Sequence, residues 1–353
     1  MKKIMSIALF SDPRNQGGIE TFNRNMKEFY PDNLKILVNS NNKKKIYNVS
    51  GIIEQKKESK IFKFINKIFF NKLREKKIKN IINLEKPDIL IFSLFYEFNI
   101  FKKFKQTKIL VQHFSLEKLK KETKNKILKK YLDYYVVLSP YEKEKFKKEF
   151  GLLEENLRVI RHTSNIELLG EIKKTKNKQL VMITRIDNTS KRFDLAIKAM
   201  KKLSEFTLNI YGDFHTEKDK IYLQNLLEEE KISNVFFRGS TTKVQEKLDE
   251  SGIFIMTSDG EGYPISTIEA MRRGLPIILR NTFDSAQDIV IDNGVLLEKE
   301  WNEDRFVEAV RKVYDNYEYY SENSKKLGER HSPEVIKKEW DKLFKEIEIG
   351  KRN

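Results

Sequence analysis

Short apolar runs recur along the chain, each followed by polar or helical sequence. In the first half they are Ile4–Phe10, Leu34–Val38, Ile89–Phe92, Ile109–Val111 and Tyr135–Leu138. In the second half they are Leu180–Ile183, Leu208–Tyr211, Val235–Phe237, Ile253–Met256 and Pro276–Leu279. Runs this short and apolar throughout predict strands covered on both faces, the signature of parallel sheets. Between them, segments such as Arg192–Leu203 and Lys220–Glu230 carry the helical apolar period. Strands alternating with helices predict βαβ units and an α/β fold. The pattern restarts near Leu180, after the polar, Lys-rich stretch Glu171–Gln179. A linker is therefore expected around 163–179, between two doubly wound domains, residues 1–165 and 166–332. A last amphipathic helix, 333–350, is built around Trp340, Leu343 and Phe344 and is expected to pack back on the first domain.

A length of 353 residues fits two domains, and 39% hydrophobic residues suffice for two cores. No apolar run approaches the roughly 18 residues a membrane-spanning helix needs. The opening MKKIMSIALFSDPRNQGG breaks off at Asp12-Pro13-Arg14 and has no small-residue cleavage site, so a first buried strand is expected rather than a signal peptide. A cytoplasmic or peripheral protein follows from these two readings. The absence of cysteine excludes disulfides, thiol nucleophiles and Cys-zinc sites.

Charge changes the picture. Sixty-nine Lys and Arg against 52 Asp and Glu give a net +17, which calls for an acidic partner: nucleic acid, anionic lipid or a phosphorylated substrate. The excess is uneven, since residues 41–80 hold 13 Lys/Arg against three Glu. Within them, IFKFINKIFFNKL aligns Ile61, Phe62, Ile65, Ile68 and Phe69 on one helical face, with Lys63 and Lys67 opposite. A basic helix 61–80 of this kind is expected to lie in an anionic membrane interface; the alternative is a helix packed on the sheet with a solvated basic side. No nucleic-acid-binding motif accompanies the charge, so no nucleic acid partner is expected.

In doubly wound sheets, ligands sit at the carboxyl ends of the strands, where loops meet helix N-termini. The loops there carry the candidate chemistry. In SDGEGYPISTIEAMRRGLP, Glu261 stands on a turn made by Gly262-Tyr263-Pro264, and Glu269 lies inside the helix that follows. Two carboxylates around one helix N-terminus suit a ligand carrying both hydroxyls and phosphates. In TRIDNTSKRFDLAIKAM, Arg185 and Lys191 bracket a polar loop before a helix, an arrangement that suits a diphosphate, unless both are ordinary surface cations. Gly17-Gly18 after the first strand would let a ligand approach the backbone, or make a plain tight turn; the spacing is neither a dinucleotide fingerprint nor a P-loop. LNIYGD and VFFRGS end in Gly212 and in Arg238-Gly239, where backbone groups could meet a flat base or simply end a strand. His113 follows a first-domain strand and either donates to a sugar hydroxyl or is structural. His162, His215 and His331 are scattered and no Asp-x-Asp pair exists, so metal-independent chemistry is expected.

Taken in order, from GGIETF to GLPII, these segments resemble the retaining GT-B glycosyltransferases of family 4, most strongly in the second domain. The resemblance implies two Rossmann-like domains facing a central cleft. It implies a hexosyltransferase that takes sugar from a nucleotide-sugar, most commonly a UDP-sugar, with no separate cofactor. On the family pattern Arg185 and Lys191 grip the diphosphate, Glu269 holds the ribose hydroxyls and Glu261 lies against the donor sugar. The backbone of Gly262, Tyr263, Pro264, Ile265 and Ser266, with that of Gly17 and Gly18, reaches the sugar and phosphates. His113 matches the family's first-domain histidine near the donor sugar, and attack is front-face, with no protein nucleophile. Two departures stand out. Lys191 falls six residues after Arg185, where five is usual, and Arg192 replaces the usual glycine, so Arg192 competes with Lys191 as phosphate ligand. The junction reads RVIRHTSN in place of the family's proline-asparagine segment, which leaves the role of His162 open. The expected acceptor is a lipid-linked saccharide, a glycolipid or a polymer in bacterial surface glycan assembly, such as a capsule, reached at the inner face of the cell membrane. The competing reading is a non-catalytic GT-B subunit that partners another glycosyltransferase.

Overall fold

The computed structural model describes residues 2–15, 17–39, 49–55, 72–115, 125–170 and 176–350. The chain divides into two compact units, Met1–Ile160 with Lys337–Asn353, and Arg161–Ile336.

The first unit holds a seven-stranded sheet in the order β3-β2-β1-β4-β5-β6-β7, in which every pairing is parallel. Its strands are β1 Ile4–Ile7, β2 Leu34–Asn39, β3 Ile52–Gln55, β4 Ile89–Phe92, β5 Thr107–Val111, β6 Tyr134–Val137 and β7 Leu157–Val159. β1 and β4 are buried at every position, which is why their sequence is apolar without alternation. Ile4 stands beside Leu34 on one side and Ile89 on the other, so the strand order reverses at β1. Helix Pro333–Gly350 sends Trp340, Leu343 and Phe344 into this unit's core. There Trp340 meets Phe22, Phe344 meets Tyr30, and the Tyr30 hydroxyl donates to Asp341 at 2.8 Å.

The second unit repeats the design with six parallel strands in the order β10-β9-β8-β11-β12-β13. They are β8 Gln179–Ile183, β9 Thr207–Tyr211, β10 Val235–Gly239, β11 Ile253–Met256, β12 Ile277–Arg280 and β13 Gly294–Leu297. Leu180 pairs with Leu208 and with Ile253, so this sheet reverses its order at β8/β11. Its core is fully buried at Leu180, Phe193, Ile197, Leu208, Ile253 and Phe306.

Several expectations are refined. β3, β7 and β13 were absent from the apolar pattern; each is a sheet edge, hydrogen-bonded on one side only and less buried, so each needs less apolar sequence. The first strand ends at Ile7 rather than Phe10, because Leu9 turns its amide to Glu97 (2.7 Å) and Phe10 is exposed. The helix expected at Arg192–Leu203 runs Phe193–Ala199 and tightens into a 3₁₀ turn, Met200–Lys202. Of the basic segment 61–80, residues 61–71 lie outside the described residues. The rest opens the helix Lys72–Glu85, which buries Ile78 and Ile82.

Candidate active site

In the second unit, β8 and β11 flank the point where the strand order switches, and the loops leaving their carboxyl ends carry most of the candidate residues. After β8 the chain passes through Arg185 into a single helical turn, Asn188–Lys191. Arg192 then adopts φ 52°, ψ 49°, a left-handed conformation natural to glycine, and begins the helix Phe193–Ala199. After β11 the chain runs irregularly through 257–264 into the helix Ile265–Arg272.

Hydrogen bonds stitch the two loops together. The Thr257 hydroxyl reaches the carbonyls of Lys191 (3.0 Å) and Arg192 (2.8 Å), and the Asp259 amide donates to Ser190 O (2.9 Å). This seam brings Lys191 Nζ against Glu261 Oε1 as a hydrogen-bonded ion pair, and Ser258 Oγ donates to the same oxygen at 2.8 Å. Both side chains are largely shielded, 16% and 13% exposed, where a charge pair is felt more strongly than at the surface. Arg192 is spent elsewhere: it bonds Asp194 at 3.1 and 3.2 Å and Asp259 at 3.3 Å. Lys191, not Arg192, is thus the cation that meets Glu261. Residue 192 turns left-handed, and its side chain goes to the aspartates. Arg185 is 60% exposed, 3.7 Å from Asp187.

Pro264 precedes the helix Ile265–Arg272, and among the described residues no side chain caps its N-terminus. The amides of Ile265 and Ser266 therefore open a first turn whose N–H groups have no intrahelical partner and favour an anion. Ile268, Ala270 and Met271 are buried beneath this helix. Glu269 rises on its other side, where Ser164 Oγ donates to Oε1 at 3.5 Å. Glu261, Lys191 and the helix start are one cluster; Glu269 stands on the same helix, one turn in.

Tyr263 departs from the others. Its ring is 4% exposed and turns inward, so only its backbone faces the loop surface. Its hydroxyl donates to Asp288 Oδ2 (3.1 Å) and lies 3.1 Å from His331 Nε2. Asp288 also receives Arg161 through two bonds of 2.8 and 2.9 Å. Burial pushes the Asp288 carboxyl up, but the Arg161 bonds and charge outweigh it and hold the group below the usual carboxylate range. His331 Nδ1 faces the carbonyl of His162 at 2.8 Å, and Thr163 Oγ1 donates to His331 O at 2.7 Å. Burial drives both imidazoles toward the neutral form, His162 to about 4 and His331 to about 3. His162 is therefore a buried structural residue. This network was not legible in the sequence, because its members come from residues 161–163, 263, 288 and 330–331.

Arg238 lies back along β10, its Nε donating to Asn209 at 2.8 Å and its guanidinium over the Phe236 ring. In the first unit, Gly17 precedes the helix Gly18–Phe29 with φ 152°, ψ 162°, a conformation that suits glycine alone. The loop before it is gripped by Arg24, which donates to the carbonyls of Pro13 and Asn15, both at 2.7 Å. Gly18 has open space around its Cα. His113 follows β5 and meets Phe22 edge to face at 4.9 Å.

The model of the family described as glycosyl transferases group 1 matches residues 167–330. An uncharacterized glycosyltransferase of Haemophilus influenzae is 28% identical over 217 residues, covering 59% of this chain and 60% of its own. The poly(ribitol-phosphate) alpha-N-acetylglucosaminyltransferase of Staphylococcus aureus is 30% identical over 166 residues, 44% of this chain and 33% of that protein. The matches thus span less than two thirds of these relatives' lengths. Among solved structures, a TarM mutant from S. aureus in complex with fondaparinux, alpha-GlcNAc-glycerol and UDP superposes with TM-score 0.73 at 16% identity, covering 98% of this chain and all of that one.

Proposed function

We propose, from the match of residues 167–330 to the glycosyl transferases group 1 model and from the GT-B fold, that the protein is a retaining hexosyltransferase. It takes sugar from a nucleotide-sugar, a UDP-sugar first, and passes it to a polymeric or membrane-linked acceptor in bacterial surface glycan assembly. One observation carries the reading: the Lys191–Glu261 ion pair at the mouth of a parallel sheet, directly before an uncapped helix N-terminus that also bears Glu269. Cations and free amides on one side suit a diphosphate; carboxylates suit the hydroxyls of ribose and hexose.

The chemistry follows from charge. As the bond between the sugar's anomeric carbon and the diphosphate breaks, its electron pair moves to the leaving phosphate oxygen. Lys191, Arg185 and the amides of Ile265 and Ser266 stabilise that growing negative charge. Lys191 spends one N–H on Glu261 and has two left for phosphate. The acceptor hydroxyl attacks from the face the leaving group vacates, and its proton passes to the departing phosphate oxygen, so configuration is retained. Glu261, oriented by Lys191 and Ser258, accepts from the sugar's hydroxyls. The positive charge at the phosphates comes from the protein itself, so the reaction is assigned no metal.

UDP as donor nucleotide is supported by the ligand of the TarM structure, and a polymer acceptor by the name of the S. aureus relative. A net charge of +17 favours an anionic acceptor or membrane surface. No helix among the described residues is long and apolar enough to cross a membrane; peripheral attachment at the inner face, through the basic segment 61–80, is part of the proposal.

The test is nucleotide release from a panel of UDP-, GDP- and dTDP-sugars, with Lys191→Ala and Glu269→Ala beside the wild type. Slow hydrolysis of one donor, reduced about a hundredfold or more in both variants, is expected. No release and no nucleotide binding would overturn the enzyme reading in favour of a non-catalytic subunit.

A further inference from the structure

The geometry points to Tyr263 and Ser285 as positioning residues that hold the Glu261–Ser266 loop in its donor-binding shape from behind; the inference rests on the donor reading above. Segment 257–264 has no regular structure of its own, so its shape must come from tethers. Its front half is tied to the loop before Arg192 through Thr257 and Asp259, as described above. In its back half Lys191 and Ser258 hold Glu261, Thr267 Oγ1 donates to the Pro264 carbonyl at 2.6 Å, and two tethers, both single buried hydroxyls, come from behind. Ser285, fully buried, donates to the carbonyl of Gly262. Tyr263 sends its hydroxyl to Asp288 and His331.

Proton counting shows how tightly the second tether is specified. A carbonyl only accepts, so His331 must place its proton on Nδ1 to satisfy His162 O at 2.8 Å. The neutral ring then presents a lone pair at Nε2. Asp288 presents another, held ionised by Arg161. The single Tyr263 proton faces two acceptors 3.1 Å away and nothing else, so the ring is held in one orientation by both. Gly262 and Pro264 flank this anchored ring, Glu261 stands two residues before it, and the helix proposed to face the phosphates starts two residues after it, at Ile265. A shift of the ring is carried directly to Glu261 and to the amides of Ile265 and Ser266. Neither hydroxyl touches the surface where a donor would sit, which separates their role from that of Lys191 or Glu269.

The test uses the full-length protein and deletes one oxygen at a time: Tyr263→Phe and Ser285→Ala, with Ser324→Ala as control. Ser324 is equally buried and donates to Leu275 O at 2.5 Å, away from the loop. UDP affinity is measured by calorimetry, thermal stability alongside, and donor KM and kcat wherever turnover is found. Expected is a loss of about tenfold in UDP affinity, expressed in KM more than kcat, for Tyr263→Phe and Ser285→Ala. Ser324→Ala should lose stability but keep wild-type affinity. If the wild type binds UDP, Glu269→Ala loses it, and either folded loop variant binds like wild type, the positioning role is overturned while the donor reading stands. If Ser324→Ala weakens UDP as much as the loop variants, the effect is general destabilisation and the inference falls. A wild type that binds no UDP, GDP or dTDP removes both readings together. Should one loop variant fail to fold, the other decides the matter.

Discussion

Acidification should destabilise the second unit steeply, because it holds two buried, neutral histidines. His162 is buried, and burial lowers it to about 4. Burial also dominates at His331, lowering it to about 3; the neighbouring Arg330 and Arg161 push the same way, while the His162 carbonyl and Asp288 partly oppose them. In the unfolded chain both titrate near 6.5. The unfolded state therefore binds protons that the folded state refuses. Stability is fully present above about pH 6.5 and is lost as pH falls from there toward the folded values. Between pH 7 and 5, each histidine withdraws about 2 kcal/mol, and the pair about 4 kcal/mol. For a unit spanning Arg161–Ile336, that corresponds to a fall of roughly 8–16 °C in melting temperature. The assay is thermal unfolding at half-unit steps of pH, for wild type and His331→Asn. Asparagine retains an N–H for the His162 carbonyl but does not titrate. The carboxylates titrate lower and contribute alike to both proteins, so the difference between the two curves isolates one histidine. The variant should lose only about half as much stability as wild type across this window. Parallel curves would refute the reasoning, since they would mean that His331 is protonated as easily in the folded state as in the unfolded one.

Arg192→Gly should leave melting temperature and donor turnover nearly unchanged: relief of the left-handed backbone, about 1 kcal/mol, offsets the partly exposed pairs with Asp194 and Asp259. A turnover loss as large as that of Lys191→Ala would instead make Arg192 a phosphate ligand. Gly17→Ala should cost about 1–3 kcal/mol from its φ of 152°, whereas Gly18→Ala, with open space around it, should be neutral or slightly stabilising in denaturant unfolding. Gly328→Ala would place a Cβ 2.8 Å from the backbone of Met271 and Arg272. The expected cost is about 1–3 kcal/mol, with UDP affinity falling too because the displaced helix carries Glu269.

The alternation of apolar runs and helical segments determined, without any structure, that the chain forms parallel α/β sheets. A strand covered on both faces has no polar positions to spare, so β1, β4, β8 and β11 announce themselves. The chemistry of the loops was legible for the same kind of local reason. Glycine and proline around Glu261 interrupt the strand-helix pattern, and Arg185, Lys191 and Glu269 fall where strands give way to helices. Of the four edge strands only β10 showed as an apolar run; β3, β7 and β13 escaped, since strands such as Leu157-Arg158-Val159 and Gly294–Leu297 need only one hydrogen-bonded neighbour and partial cover.

Only the tertiary structure decided which cation pairs with Glu261 and what holds the loop in place. Lys191 and Arg192 are adjacent and equally charged; the left-handed turn at residue 192 is what sends one to Glu261 and the other to Asp194 and Asp259. Tyr263 reads as a site residue in sequence, yet its ring is a buried tether, because Asp288 and His331 arrive beside it from 25 and 68 residues away. Periodicity records what each residue does with its near neighbours along a strand or helix. Contacts between distant residues leave no trace in it, and those contacts shape the loop on which the proposed chemistry depends.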